Sequence, residues 1–326
     1  MKLGILGTGK IVQELMQVYD RLEVEETYLL TTEKSRMKGE LLAQKHGFSG
    51  VFTDYLQLLN SPIDTVYIAL PNHLHYSYAK AALEHDKDVI LEKPATENLR
   101  QLKELLAMAR ERGRILIEAV TVHQLPAFGK LKEAVAAMGK PRLAVLNYSQ
   151  YSSRYDDFKR GVIHPVFDPE KAGGALYDLN MYNLHAALGL FGKPKSISYR
   201  ANVEKGIDLS GILTLDYDDL QVVCLGAKDC QGENVSVLQS EAGVIRISEP
   251  MSRMTAFQVL PRNGSPETVD CGAENRMYTE FKSLLALMKD PKEEKLAYLQ
   301  QLSLDAMAIM EEARQQVGIK FPGDVL

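Results

Sequence analysis

The chain has 326 residues, of which 45% are hydrophobic and 25% are charged, and its formal net charge is -5. This composition is ordinary for a globular protein, and the length is about twice that of a typical domain, so we expect two domains. A net negative charge gives no electrostatic reason to expect a nucleic acid or an anionic membrane as a partner. Small molecules are therefore the expected partners.

The cysteines do not indicate a disulfide framework or a zinc site, because they are odd in number and lack C-x-x-C spacing. They are Cys224, Cys230 and Cys271. The amino terminus runs directly into a strand-like segment, and no apolar stretch approaches the roughly 20 residues that cross a bilayer. The expected location is the cytoplasm.

The first element is a short apolar strand over Lys2–Leu6, which breaks at a G-T-G turn and is followed by a helical pattern over Lys10–Tyr19. In such a turn the glycines let the backbone approach a pyrophosphate, whose charge lies at the start of the helix. The third glycine of the G-x-G-x-x-G pattern is replaced by Val12, and the same short pattern also occurs in ordinary βα turns. The expected cofactor contacts here are Gly7, Thr8, Gly9, Lys10 and Ile11.

The second strand, over Thr27–Thr32, ends at Glu33. An acid at this position favours NAD, because it can accept hydrogen bonds from the ribose hydroxyls of the adenosine. Lys34 and Arg36 follow closely and favour NADP, because they could hold a 2'-phosphate. A third interpretation is an exposed charge cluster at a helix start. Thr32 and Glu33 are the expected contacts, and the choice of NAD or NADP stays open.

Another apolar strand, over Asp64–Leu70, stops at Pro71 and Asn72, where His73 and His75 begin the next helix. Two histidines at i and i+2 do not share a helix face, and no partner keeps metal-ligand spacing, so no metal site is predicted. We expect the cofactor at this edge. The expected contacts are Pro71, Asn72 and His75.

The strand over Asp88–Pro94 brings Glu92 and Lys93 to its carboxyl end, where the proline stops it. In open parallel sheets, ligands bind outside the carboxyl ends of the strands, so Lys93 is expected to point into such a crevice. Glu92 and Lys93 are therefore also expected to contact the cofactor. The alternation of strands and helices predicts a doubly wound parallel sheet. The other elements predicted here are helices over Ser35–His46 and Asn98–Arg112 and strands over Val51–Phe52 and Ile115–Glu118.

Past Glu118 the pattern changes to strands with alternating polarity, which predicts a large, mostly antiparallel open sheet. We divide the chain into 1–121, a Rossmann-type domain, and 122–326, an α+β domain whose last helix, Glu293–Val317, is expected to pack back on the first domain. Another helix is expected to begin at Asn275–Phe281. The predicted strands are Leu143–Tyr148, Ser196–Val203, Ile212–Tyr217, Gln221–Ala227, Val235–Gln239, Gly243–Ile247 and Thr255–Leu260.

One helical stretch interrupts the second domain and begins at Gly173 and Gly174. Asp178, Tyr182 and His185 stand at i, i+4 and i+7 in it, so in a regular helix they would fall within about 60° of one another. A carboxylate, a phenol and an imidazole on one stripe suit acid–base chemistry, although a polar network that stabilises a buried helix has the same pattern.

Taken together, G-T-G after the first strand, Pro71-Asn72-His73-Leu74-His75 and Glu92-Lys93-Pro94 resemble the Gfo/Idh/MocA oxidoreductase family. The resemblance implies a bound nicotinamide cofactor, NAD or NADP, and a lysine, Lys93, that contacts a substrate hydroxyl. It also implies a homodimer or higher homo-oligomer formed through the open sheet.

In this family the second domain carries G-G-G-x-x-x-D-x-G-x-Y/H facing that lysine, and Asp178 and Tyr182 match the motif. Two positions differ: Ala172 replaces the first glycine, and Asn180 replaces the glycine between the aspartate and the aromatic residue. A tyrosine at position 182 resembles the glucose-fructose oxidoreductase and dimeric dihydrodiol dehydrogenase branches.

The expected reaction is hydride transfer between the nicotinamide and a carbinol or carbonyl carbon of a sugar, polyol or dihydrodiol. Lys93 would bond the reacting hydroxyl, Tyr182 would be the general acid/base, and Asp178 would bond a second hydroxyl or hold Lys93. A neighbouring ammonium suits a phenol in this role, because it favours the phenolate. His185 and Tyr155 are weaker candidates for substrate contacts, and the alternative for His185 is a buried structural histidine. A cofactor-binding sensor without catalysis is the alternative.

Overall fold

The computed structural model describes residues 1–325, which form two compact units. The first unit comprises Met1–Val120 and Asn275–Gln301, and the second comprises Thr121–Glu274 and the segment from Leu302. The chain therefore returns to the first unit after most of the second has been formed.

The sheet of the first unit has six parallel strands among the described residues, in the order β3-β2-β1-β4-β5-β6. Its central strands are continuous apolar runs because helices cover both faces of such a sheet. The order is that of a dinucleotide-binding fold. The strands are β1 (Lys2–Leu6), β2 (Glu26–Leu30), β3 (Gly50–Phe52), β4 (Thr65–Ile68), β5 (Asp88–Glu92) and β6 (Leu116–Ala119).

Helices follow these strands at the spacing that parallel pairing requires. In α5 (Leu99–Glu111), Leu102, Leu105 and Ala109 recur at helical spacing and are buried, and the Asn98 side chain caps the first turn by accepting from the Gln101 N–H at 3.0 Å. The others are α1 (Lys10–Met16), α2 (Arg36–His46), α3 (Tyr55–Leu59) and α4 (His75–Glu84) and, after the second unit, α9 (Arg276–Lys289) and the first part of α10 (Glu293–Gln316).

The sheet of the second unit has eight strands within residues 1–325, in the order β14-β13-β12-β11-β7-β10-β9-β8. Neighbouring strands are antiparallel except β7 and β10. The strands are β7 (Leu143–Ser149), β8 (Ser196–Glu204), β9 (Ile207–Asp216), β10 (Gln221–Ala227), β11 (Ser236–Ser240), β12 (Gly243–Ile247), β13 (Ala256–Pro261) and β14 (Glu267–Asp270).

Three α-helices lie before or between the described strands of this unit: α6 (Pro126–Met138), α7 (Tyr155–Lys159) and α8 (Met181–Phe191). A π-helical turn, Leu176–Asn180, leads into α8. Helix α6 is not among the elements that the sequence pattern predicts, although its proline in the first turn is a helix-start signal. The remainder of α10 completes the unit.

The predicted fold class is confirmed: a Rossmann-type parallel sheet is followed by a mostly antiparallel one. The differences concern the ends of some elements and the presence of others. The predicted fifth strand ends at Glu92 rather than Pro94, β9 begins at Ile207 rather than Ile212, and β14 was not predicted. The predicted first helix ends as α-helix at Met16 and resumes as a 3-10 turn at Tyr19–Arg21.

Candidate functional site

The glycine turn after β1 has the shape that a dinucleotide phosphate requires. Gly7 has φ +105°, a conformation that favours glycine, and a Cβ there would lie 2.9 Å from the Ala69 carbonyl oxygen. Gly9 caps α1 with no side chain, and a Cβ at Gly9 would meet nothing within 4 Å. The backbone at the start of α1 is thus open to an incoming anion, so the turn fits the pyrophosphate of a nicotinamide cofactor.

Val12, which replaces the third glycine, is fully buried in the core of the first unit. The valine is accommodated by packing and leaves the turn itself unchanged. Thr8 lies in the turn, half-buried, and its carbonyl oxygen accepts a hydrogen bond from Lys38 Nζ at 2.6 Å. Lys10 and Ile11 begin α1.

The segment after β2 is a capped turn. Thr32 accepts from the Ser35 N–H at 3.3 Å, and the Ser35 hydroxyl accepts from the Thr32 N–H at 3.3 Å, which is a reciprocal cap. The Glu33 side chain is 72% exposed and lies 3.8 Å from Arg36 Nη1. Glu33 is therefore already partly neutralised by a cation.

His75 is fully buried, and both of its ring nitrogens face backbone carbonyls. Nδ1 lies 2.9 Å from the Pro94 oxygen and Nε2 lies 2.8 Å from the Leu70 oxygen. Burial lowers the pKa of His75. The expectation that its side chain contacts the cofactor is therefore revised, because the ring joins the loops after β4 and β5. Pro71 and Asn72 lie more openly, in the turn before α4.

Glu92 is buried at the end of β5, and both of its carboxylate oxygens are used within the protein. Oε1 accepts from the Tyr67 hydroxyl at 2.5 Å, and Oε2 accepts from the Lys93 N–H at 3.2 Å. Burial raises the pKa of Glu92. Within the protein, Glu92 fixes the backbone from which the half-buried Lys93 side chain extends. A direct contact of Glu92 with the cofactor stays a prediction.

The glycine pair of the second unit is required by close packing. A Cβ at Gly173 would lie 2.7 Å from the Pro165 oxygen, and Gly174 has φ +103° with its missing Cβ pointing at Asp208. Asp208 is buried and accepts from the Leu176 N–H at 2.6 Å. Burial raises the pKa of Asp208. A carboxylate from β9 thereby holds the start of the π-helical turn.

Asp178 lies in that π-helical turn, so the spacing assumed for a regular helix does not apply between it and α8. Its Oδ2 forms an ion pair with Lys228 Nζ, a partner that was not predicted. Lys228 follows β10, and its side chain is only 3% exposed, whereas that of Asp178 is 30% exposed. The sequence did contain a signal for a buried Lys228. Alternation along β10 places Lys228 on the same face as Cys224 and Gly226, which is the face assigned to the core.

Tyr182 and His185 lie one turn apart on α8 but differ in surroundings. Tyr182 is 8% exposed, and its ring centroid lies 6.1 Å from that of Tyr148. His185 is fully buried, with Nδ1 3.1 Å from His123 Nε2. Burial lowers the pKa of His185 to about 3 and lowers that of His123 well below its ordinary value. Of the two interpretations of His185, its burial supports the structural histidine rather than the substrate contact.

Asn180, which replaces the second-domain glycine, is accommodated by a glycine on the facing strand. A Cβ at Gly226 would lie 2.6 Å from the Asn180 Cβ. Asn180 Nδ2 donates to the Cys224 oxygen at 3.0 Å, and its Oδ1 accepts from Asn183 at 2.9 Å. The departure therefore adds a hydrogen-bonded contact to β10.

Tyr155 is half-buried at the start of α7, in an aromatic cluster. Its ring centroid lies 6.1 Å from that of Phe158, in a stacked arrangement, and 6.0 Å from that of Phe167. The Phe167 ring centroid lies 5.2 Å from Lys228 Nζ. Tyr155 thus lies in the same part of the second unit as the Asp178–Lys228 pair.

Residues 1–325 contain no group of three or more His, Cys, Asp or Glu side chains arranged to hold a metal ion. No helix in the described part of the chain is long and apolar enough to cross a membrane.

Comparison with known proteins gives two domain matches that together span most of the chain. Residues 1–120 match the family described as "Oxidoreductase family, NAD-binding Rossmann fold", and residues 128–243 match the "GFO/IDH/MocA C-terminal domain".

Individual relatives are similar over nearly their whole lengths. The chain is 32% identical to a scyllo-inositol 2-dehydrogenase (NADP(+)) of Bacillus subtilis, over 99% of both chains. It is 27% identical to the human trans-1,2-dihydrobenzene-1,2-diol dehydrogenase, also over 99% of both. Its fold matches a 3-ketoreductase from Actinomadura kijaniata, solved with TDP-benzene and NADP, with TM-score 0.83 and 18% identity over 97% of each chain.

Proposed function

The chain belongs to the Gfo/Idh/MocA oxidoreductase family and is an NAD(P)-dependent enzyme, and we propose that it transfers a hydride between the nicotinamide and a carbinol or carbonyl carbon of a sugar, polyol or dihydrodiol. The observation that carries the proposal is that β1, β4 and β5 are adjacent and parallel. Their carboxyl ends place the glycine turn, Asn72 and Lys93 at one edge of the sheet, where ligands of such sheets bind.

We assign the cofactor to residues 1–121, and the oligomer contacts and the substrate contacts other than Lys93 to residues 122–326. Among the direct cofactor contacts are the backbone of the glycine turn and the side chains of Thr32 and Asn72. Glu92 and His75 support this edge through the bonds they make to the Lys93 N–H and to the Pro94 and Leu70 carbonyls.

We propose that Lys93 donates a hydrogen bond to the reacting oxygen and that Tyr182 exchanges its proton as general acid/base. Asp178 accepts a hydrogen bond from a further hydroxyl of the substrate, which orients the reacting carbon. The nicotinamide supplies or accepts the hydride when it is bound. Tyr155 is proposed as a substrate contact, because it is half-buried and its ring packs near Phe167, whose ring centroid lies 5.2 Å from Lys228 Nζ.

The preferred cofactor is proposed to be NADP. Glu33, the residue that would favour NAD, is exposed and paired with Arg36. Lys38, whose ammonium lies at the Thr8 carbonyl, adds a second cation beside the glycine turn. Two cations near the adenosine end suit a 2'-phosphate, and the inositol dehydrogenase relative is named for NADP(+).

We propose a homo-oligomer formed through the open face of the second sheet. Ile212 on β9 is 47% exposed and is in register with Leu225 on β10 and Arg200 on β8, so these side chains share one face. Leu143 on the same sheet is 49% exposed.

We also propose a cytoplasmic location, since Cys224, Cys230 and Cys271 are all free thiols, as a reducing compartment keeps them.

The experiment that tests the function is a titration of the purified protein with NADPH and NADH, followed by nicotinamide fluorescence. A screen for turnover with scyllo-inositol, D-xylose and trans-1,2-dihydrobenzene-1,2-diol follows, using the preferred cofactor. Tight binding of NADPH with turnover of a polyol or sugar supports the proposal. Failure to bind either cofactor contradicts it, and tight binding without turnover of any sugar, polyol or dihydrodiol would favour a cofactor-binding sensor.

A further inference from the structure

The backbone of Lys228 is fixed by strand pairing, independently of the contacts of its side chain. It directly follows β10, and its N–H donates to the Leu209 oxygen on β9 at 2.8 Å, which extends the pairing of the two strands. Alternation along β10 places Gly226 and Lys228 on the same face, and Gly226 packs against Asn180 of the π-helical turn. The Lys228 side chain therefore extends toward the π-helical turn from a fixed backbone position.

The surroundings of the ammonium are largely closed to water. The Lys228 side chain is 3% exposed, and Nζ lies 5.2 Å from the Phe167 ring centroid. Its ion pair is with Asp178, whose side chain is 30% exposed. The pair is thus one-sided: the cation is enclosed in the second unit, and the carboxylate reaches the surface.

A buried ion pair of this kind is weak evidence for stability, because the desolvation of both charges opposes their attraction. The pair does restrict the position of the Asp178 carboxylate, since a buried ammonium requires its counter-ion in one place. A carboxylate has about four acceptor sites, so one carboxylate can pair with an ammonium and also accept a hydrogen bond from a substrate hydroxyl.

The backbone of the same turn is held separately. Asp208 of β9 accepts from the Leu176 N–H at 2.6 Å, and the Asp178 N–H donates to the Gly174 oxygen at 3.1 Å. Asp208 thus fixes where the turn begins, and Lys228 fixes where the Asp178 carboxylate points. Adjacent strands supply the two restraints.

We propose that Lys228 is a positioning residue for the reaction, which orients the Asp178 carboxylate toward the substrate without touching the substrate itself. This inference rests on the proposed function, in which Asp178 accepts a hydrogen bond from a substrate hydroxyl. It adds a residue outside the glycine–aspartate–tyrosine motif, and it explains why a lysine occupies a core-facing position of β10.

The test is a double-mutant cycle of Lys228→Met, Asp178→Asn and the two together, measured as kcat/KM with the substrate found in the screen. Lys228→Met is expected to lower kcat/KM on the order of 10- to 100-fold in the native background and less than about 2-fold in the Asp178→Asn background, because the residues act as a unit. NADPH affinity should stay the same in all three variants. An equal loss in both backgrounds would overturn the proposal.

Lys205→Met is the matched control, because Lys205 Nζ also bonds an acceptor, the Phe158 oxygen at 2.9 Å, and lies 4.1 Å from the Phe158 ring centroid. Its kcat/KM should remain within about 2-fold of the native value. Urea unfolding separates folding from positioning: the double variant should have a higher midpoint than Asp178→Asn, in which the buried ammonium has lost its counter-ion.

Failure of the proposed function and failure of this inference are distinguishable. If the native protein turns over none of the substrates, the function fails, and positioning is then measured in crystal structures of the native protein and Lys228→Met. The proposal requires that the Asp178 side chain change its rotamer in the variant while the π-helical turn and Tyr182 stay in place. An Asp178 side chain in the native position would overturn it.

Discussion

The hydroxyl of Tyr67 on β4 donates to Oε1 of Glu92 on β5 at 2.5 Å, and both side chains are buried. Tyr67 and Ile90 are in register, so the bond crosses from the middle of one strand to the end of the next. Oε2 of the same carboxylate accepts from the Lys93 N–H. A core tyrosine therefore orients the group that fixes the backbone of the proposed catalytic lysine.

Tyr67→Phe should lower turnover, because the Glu92 carboxylate loses a buried donor and with it a fixed orientation. We expect a loss of stability of about 1–3 kcal/mol, the usual cost of an unsatisfied buried polar group. Urea unfolding and steady-state kinetics measure the two effects. Tyr76→Phe, on α4, is the control and should change neither; native turnover in Tyr67→Phe would show that the Glu92 bond does not support Lys93.

Lys93→Met should remove turnover while leaving NADPH affinity nearly unchanged, because the proposed role of the ammonium is to bond the reacting oxygen. A loss of at least about 100-fold in kcat is expected for a group that acts in the transition state. Lys80→Met is the control, since Lys80 pairs with Glu104 at 2.8 Å on the helices of the same unit. Loss of cofactor binding together with turnover in Lys93→Met would indicate a structural lysine.

Lys38→Met should weaken NADPH binding more than NADH binding, because only NADPH carries the 2'-phosphate that the cation would meet. A charge-assisted hydrogen bond is worth about 1.5–3 kcal/mol, so the ratio of the two dissociation constants should change by about 10-fold or more. Fluorescence titrations with both cofactors measure that ratio. Lys45→Met, in the last turn of α2, is the control; equal weakening of both cofactors by Lys38→Met would contradict the assignment.

Gly226→Ala should destabilise the second unit, because the added methyl group would lie 2.6 Å from the Asn180 Cβ. Overpacking of this kind typically costs about 1–3 kcal/mol. Asn180→Gly in the same chain should recover part of the loss by removing the clashing side chain. Unfolding midpoints of the two single variants and the double variant provide the comparison, and strictly additive losses would show that the two positions do not compensate each other.

The buried histidines should make the protein less stable in acid. Burial lowers the pKa of His185 to about 3, so below about pH 6.5 the unfolded chain binds a proton there that the folded chain does not. Stability should therefore fall as the pH falls through that window, by about 2 kcal/mol at pH 5 for this group. His123, whose pKa is also lowered, adds in the same direction.

Replacing both residues, as His123→Phe with His185→Leu, should reduce the slope of unfolding free energy against pH between about pH 6.5 and 4. Above about pH 7.5 the difference between variant and native protein should not depend on pH, which provides the internal control. Equilibrium urea unfolding over this range measures both. A variant with the native slope in acid would show that the pair is protonated in the folded state.

The sequence alone determined the fold class and most of the elements, because those depend on local patterns. β1, β10 and β12 begin and end where the alternation and the turns predicted. The G-T-G turn, E-K-P and the Asp178–Tyr182 motif also identified the family, since these short motifs keep their order along the chain.

Only the tertiary structure decided the partners of buried polar groups, because a hydrogen bond or an ion pair joins residues that are distant in sequence. Lys228 is 50 positions from Asp178, and Tyr67 is 25 positions from Glu92. The tertiary structure also decided the roles of His75 and His185. Histidines near a motif suggest a functional site, but only the packing shows that these two rings lie in the core. The π-helical turn likewise changes the predicted common face of Asp178, Tyr182 and His185, because the prediction from sequence assumes 3.6 residues per turn.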